Sequence, residues 1–119
     1  MFLHGQVGVL DSAHYAYNVE GTQNETPPAG YDSWIDYWTA RIGDSCPLHC
    51  CNLLCNTFLD TRNRVGAHVR LEGEPDDDWA WIVPLCASCN NANNHQAHFL
   101  FKGTELVRVR MSRTRKTNK

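Results

Sequence analysis

Six cysteines divided between two stretches constrain this chain more than anything else in it. Cys46, Cys50, Cys51 and Cys55 lie close together, and Cys86 and Cys89 follow about thirty residues later. Zn²⁺ takes four soft ligands in a tetrahedron, and two short cysteine pairs from separate stretches close such a site without straining the backbone. The spacing therefore predicts a structural zinc site that fastens the two stretches together. The first cluster supplies more thiols than a four-ligand site with Cys86 and Cys89 requires. Which of its members bind is open at this level, and a leftover thiol reads as a small core residue. The competing use of an even cysteine count is a set of disulfides in an oxidising compartment.

The N-terminal residues 1–10 contain no basic stretch followed by a long apolar run, and no segment approaches the apolar length of a membrane span. The expectation is a soluble, intracellular protein without a membrane partner, whose thiols stay reduced and available to metal. With 119 residues, 42% apolar and 20% charged, the chain suits one domain with a modest core.

Its charge is unevenly spread. Residues 1–107 hold all 13 acidic and five basic residues, a net −8, whereas residues 108–119 hold Arg108, Arg110, Arg113, Arg115, Lys116 and Lys119 and no acid, a net +6. Such an end can hold phosphates by counterion release or serve as a solvated tail, and residues 112–119 are expected to be a flexible basic tail.

Along residues 1–30 there is little periodicity, and Pro27-Pro28 forbids helix, which predicts an extended arm around a single domain of residues 1–111. Residues 31–43 read as a helix: Ser33 and Asp36 form a capping-box-like start, Trp34, Trp38 and Ile42 recur on one face, and Gly43 stops it. That aromatic stripe is expected in the core. Segments 64–71 and 79–85 have strand composition and flank the loop residues 72–78, predicting a hairpin. The tip carries Asp76, Asp77 and Asp78, which lack the spacing of a calcium loop and read as a solvated turn. A short helix is expected from Cys86 to about Leu100, and residues 105–111 alternate as a final half-exposed strand.

A knuckle, a hairpin and a helix with cysteine pairs before and after the hairpin resemble a treble-clef zinc finger of the HNH-like type over residues 46–98. The likeness rests on Cys46-Pro47-Leu48-His49-Cys50-Cys51, Gly66-Ala67-His68-Val69 and Ile82-Val83-Pro84-Leu85-Cys86-Ala87-Ser88-Cys89-Asn90. More broadly the chain is similar to a group of small stand-alone proteins through residues 18–22, Ser33-Trp34-Ile35-Asp36-Tyr37-Trp38, the Cys46 to Cys51 spacing, Gly66-Ala67-His68-Val69 and residues 81–86. That second likeness carries no activity with it.

The resemblance implies a small α+β, zinc-stabilised ββα domain spanning residues 46–100 with an N-terminal arm and an added amphipathic helix. It favours Cys46, Cys51, Cys86 and Cys89 as zinc ligands, with Cys50 an alternative to Cys51. A closed thiolate site has no place for substrate water, so the ion's role would be structural. It also places His68 where HNH-type nucleases carry a general base and Asn90 beside a second divalent ion. Ala67 and Trp81, however, stand where that family carries an acid and an Asn, and a hard cation without carboxylates is poorly held. His68 otherwise reads as a buried, orienting imidazole, and His95 and His98 as surface residues one helical turn apart. The function expected is a non-catalytic, zinc-stabilised module that engages a macromolecular partner, either nucleic acid or protein. A metal-dependent endonuclease using His68, and a small accessory or inhibitor protein, are the alternatives.

Overall fold

Alternation of apolar and polar residues at period two builds the sheet. The computed structural model describes residues 3–43 and 46–119. Its elements are β1 (Val7–Val9), β2 (His14–Asn18), a 3₁₀ turn at Thr22–Asn24, α1 (Trp34–Ile42), β3 (Arg64–Leu71), β4 (Trp79–Cys86), β5 (His98–Leu100) and β6 (Glu105–Arg110). The six strands form one antiparallel sheet in the order β1-β6-β4-β3-β2-β5, so with its single helix the fold is mixed α+β.

The expected hairpin is present. β3 pairs with β4 in the register Arg64 to Cys86 and Val69 to Trp81. β4 lies inside the sheet and every residue after Trp79 is buried, which explains its nearly unbroken apolar run. Alternate residues then divide the core between two faces. Ala67, Val69, Trp81, Val83, Leu85 and Leu106 face the cysteines, whereas Ala80, Ile82, Val107 and Val109 face α1. Each fully buried aliphatic chain contributes about 1.5–3 kcal/mol.

Helix α1 starts and stops where its end residues dictate. Ser33 Oγ accepts the amide of Asp36 at 3.1 Å, and Gly43, at φ 78°, closes the last turn. Trp38 and Ile35 are buried against the sheet, and Trp38 Nε1 donates to the Glu105 carbonyl at 3.0 Å. Contact is closest at Gly66 of β3, where a Cβ would lie 2.6 Å from the Ile35 nitrogen and 2.6 Å from the Trp34 carbonyl carbon.

Three regions differ from the sequence expectation. The N-terminal stretch is not a loose wrap: β1 extends one edge of the sheet and β2 sits between β3 and β5. The helix expected after Cys86 does not form; residues 87–97 turn and then enter β5. Asn91 Oδ1 takes the amide of Asn93 at 2.8 Å and Asn94 Oδ1 that of Gln96 at 3.0 Å, local bonds that displace helical ones. A ββα arrangement thus lacks its helix after the hairpin among the described residues. Finally, residues 115–118 run beside residues 18–20: Glu20 N donates to the Lys116 carbonyl at 2.9 Å and Asn118 N to the Asn18 carbonyl at 2.7 Å. Arg115, with its side chain 5% exposed, forms an ion pair with Glu25, 7% exposed.

The aspartate tip is also occupied. Arg70, fully buried, donates to Asp76 Oδ1 at 3.3 Å and to the Asp77 carbonyl at 2.7 Å, and Arg110 Nε bonds Asp78 Oδ2 at 2.8 Å. The acids of the body thereby pair with bases from β3 and the C-terminal strand.

Candidate metal centre

Residues 48–59 fold back on themselves as a small knuckle. Cys50 N donates to the Thr57 carbonyl and Leu59 N to the Leu48 carbonyl, both at 2.8 Å, and Asn56, at φ 54°, supplies the left-handed turn that Asn tolerates. Cys50 and Cys55 stand on its two arms. Cys51 N bonds the Pro84 carbonyl at 3.1 Å, docking the knuckle on β4, whose last residue is Cys86. A tight turn, in which Asn90 N donates to the Cys86 carbonyl at 3.1 Å, then brings round Cys89.

The outcome is a group of four thiols, Cys50, Cys55, Cys86 and Cys89, with every Sγ within 4.8 Å of the others. Cys55 Sγ and Cys86 Sγ lie 3.7 Å apart. A tetrahedron with Zn–S bonds of about 2.3 Å has S–S edges of about 3.8 Å, so this arrangement fits a zinc ion. Among the described residues it is the one group of three or more His, Cys, Asp or Glu side chains so arranged.

Surrounding donors suit thiolates. Cys86 N approaches Cys50 Sγ at 3.3 Å and Asn52 Nδ2 approaches Cys89 Sγ at 3.5 Å. Asn52 is itself fixed, its Oδ1 accepting the amides of Leu54 at 3.2 Å and Phe99 at 2.9 Å. The hydrogen bond with Thr57 is the chief cause that holds the Cys55 thiol down to about 7, burial opposing it. Burial pushes Cys50 up to about 11 and also raises Cys89. Without a cation the Cys50 and Cys89 thiols remain protonated at neutral pH, and a bound dication would displace their protons.

The family resemblance favours Cys46 and Cys51, with Cys50 an alternative to Cys51; the structure groups Cys50 and Cys55 with Cys86 and Cys89. Cys51 is buried in the core, where burial pushes its thiol up to about 12, and half-buried Cys46 packs beside the same core. Asn18 and His98 were not singled out as a supporting pair. Asn18 Nδ2 donates to the Cys89 carbonyl at 2.8 Å, so its Oδ1 accepts from His98 Nε2 at 2.9 Å. His98 therefore carries its proton on Nε2 and steadies the cysteine turn from β5. Its spacing from His95 predicts a surface residue one helical turn away; instead His98 is buried in β5, and its partner is 80 residues away.

His68 and Asn90 both line one cavity of about 830 Å³ on the helix-facing side of β3. His68 is 3% exposed, its ring meets Trp34 edge-on at 4.7 Å between centroids, and its Nε2 bonds nothing among the described residues. Burial, foremost, pulls its pKa down to about 4. His95, also on the cavity wall, approaches the Lys119 carbonyl through Nδ1 at 3.3 Å.

No family model, curated protein or solved structure matches this chain. None of the described helices is long and apolar enough to cross a membrane.

Proposed function

We propose that the chain is a zinc-stapled binding module in which Cys50, Cys55, Cys86 and Cys89 hold one Zn²⁺ as a closed structural site. The observation that carries this reading is the mutual approach of four thiols within 4.8 Å. Four sulfurs fill a tetrahedron and leave no position for a reacting water, so the ion contributes folding free energy, of the order of 10–16 kcal/mol in small zinc domains. The order of knuckle, hairpin and second cysteine pair supports a treble-clef likeness, but the six-stranded sheet, and the turns and strand in place of the helix, fit it poorly.

A protein partner is favoured over nucleic acid. Of the six basic residues at the C-terminal end, Arg108, Arg110 and Arg115 are paired with Glu74, Asp78 and Glu25. The positive charge left for phosphates is thus much smaller than the sequence advertises. The knuckle meanwhile exposes Leu48, Leu54 and Phe58. Elemental mass spectrometry of native protein should find one zinc per chain, and cobalt substitution should give the intense thiolate charge-transfer bands of a tetrahedral four-sulfur site. Absence of metal, or sulfurs joined as disulfides, overturns the reading. Retention of a partner through high salt and nuclease treatment separates protein from nucleic acid.

A second reading, a metal-dependent nuclease with His68 as base and Asn90 near the ion, is favoured by one observation: both line the same cavity. It would need an ion site that forms only with substrate. Plasmid nicking in Mg²⁺ or Mn²⁺, lost in His68→Ala, is its expected signature, and intact plasmid refutes it.

A further inference from the structure

On β3, Arg64, Gly66 and His68 point to the same face, because alternate residues of a strand do so. The N-terminus of α1 sits on the middle one. Only glycine permits this, since a Cβ there would meet the helix backbone at 2.6 Å. Arg64 and His68 therefore flank the positive end of a nine-residue helix, and all of them line the cavity of about 830 Å³.

This end of the helix has unspent donors. Tyr37 N makes the first helical bond, to the Ser33 carbonyl, and Asp36 N is taken by Ser33 Oγ. The amides of Trp34 and Ile35 bond no acceptor among the described residues. Beside them stands the independent sign of a missing ligand: His68, 3% exposed, with Nε2 unpartnered. A buried polar atom left without a partner costs about 1–3 kcal/mol, which a ligand would recover. Arg64 makes no ion pair among the described residues.

We propose that this cavity binds a small molecule through a terminal oxyanion, a phosphate monoester or a carboxylate, received beside the α1 N-terminus within reach of Arg64 and His68, outside the packed contact over Gly66. A helix N-terminus favours negative charge through its free amides and its dipole, and a guanidinium adds charge-assisted bonds. Carboxylates oppose this in part. Glu25 lines the cavity but is paired with Arg115, Glu20 and Asp32 are exposed on the rim, where solvent and salt screen them, and Asp36 stands exposed in the first turn of α1. The volume lies within the usual range for ligand pockets and far exceeds one oxyanion, so the anion is the end of a larger molecule whose body lies outward, toward Asn90 and the rim acids. The site lies on the helix-facing side of the sheet, apart from the four sulfurs, although Asn18 and Asn90 on its wall bond the cysteine turn.

The test is a titration of the folded, ¹⁵N-labelled protein with inorganic phosphate and, separately, acetate, at constant ionic strength with chloride as the blank. Either anion should shift the amides of Trp34, Ile35 and Gly66 saturably, and Arg64→Gln should weaken that binding about tenfold while leaving the rest of the spectrum unchanged. His68→Gln, which keeps a hydrogen-bonding side chain, should weaken it less. Saturation by phosphate alone identifies a phosphate ester as the source, and by acetate alone a carboxylate. Absence of saturable shifts with both anions, shifts confined to other regions, or equal binding by Arg64→Gln overturns the proposal.

Discussion

Replacing Gly66 with alanine tests the packing that positions both the helix and the cavity. The backbone at Gly66 is not left-handed, so alanine can adopt it without conformational strain, and in a strand interior it would by itself gain roughly 0.5–1 kcal/mol. The added Cβ, however, would meet the Ile35 nitrogen and the Trp34 carbonyl carbon at 2.6 Å and Trp34 Cβ at 2.9 Å. Two of these are backbone atoms, which cannot rotate aside, so α1 must retreat by about 1 Å to restore contact near 3.5–4 Å. Retreat loosens Ile35 and Trp38 from Ile82, Val107 and Val109. Overpacking of this kind costs about 1–3 kcal/mol and occasionally more. Two backbone contacts at 2.6 Å put the cost in the upper part of that range, about 2–3 kcal/mol, so after the alanine gain a net loss of about 1–2.5 kcal/mol remains, a fall in Tm of roughly 4–10 °C for a domain of this size. Thermal unfolding followed by circular dichroism measures it, with zinc content as a control, because the cysteines lie across the sheet. A Tm equal to or above that of the parent would refute the argument that this glycine exists to admit the helix.

Cys50→Ser and Cys55→Ser should each strip zinc from the protein or weaken it by at least about tenfold in a chelator competition, whereas Cys51→Ser and Cys46→Ser should keep a full complement; the reverse pattern would restore the ligand set suggested by the sequence. Asn52→Ala should lower zinc affinity by about 10–100-fold without removing a ligand, measured in the same competition. Acid should destabilise the fold well before its carboxylates are protonated. The His68 and His98 pKa values are pulled down to about 4 by burial from about 6.5, so the stability they contribute is complete above about pH 6.5 and lost as pH falls toward 4. For His68 the loss is about 3 kcal/mol, and urea unfolding of His68→Gln should show a flatter dependence across that window. Arg115→Met should destabilise the protein, by less than the roughly 3–5 kcal/mol of a fully stranded buried charge because Ser112 N and Oγ still bond Glu25, and the double variant Glu25→Gln with Arg115→Met should recover much of it in urea unfolding.

What the sequence alone decided is local. Ser33 and Gly43 mark the ends of α1 because a side-chain oxygen must accept the early amides and a left-handed residue must close the last turn. The hairpin of β3 and β4 was legible in its β-branched and aromatic runs around an acidic loop, and the divided cysteines signalled a thiol cluster able to hold a metal. The ligand set was not legible, for a simple reason. Cys46 and Cys51 are separated by the same interval as Cys50 and Cys55, so spacing cannot choose between them. The choice belongs to the knuckle, whose turn at Asn56 and docking of Cys51 N on the Pro84 carbonyl set which sulfurs face Cys86 and Cys89. Distance in sequence also hid the N-terminal strands and the C-terminal strap. Val7 finds Val107 and Arg115 finds Glu25 only once the sheet is closed. Short strands carry little periodicity of their own, and a buried ion pair leaves no mark in either partner's neighbours. Propensity and end-capping act over a few residues and can be read from the chain, whereas register, burial and the meeting of thiols depend on surfaces that exist only in the folded whole.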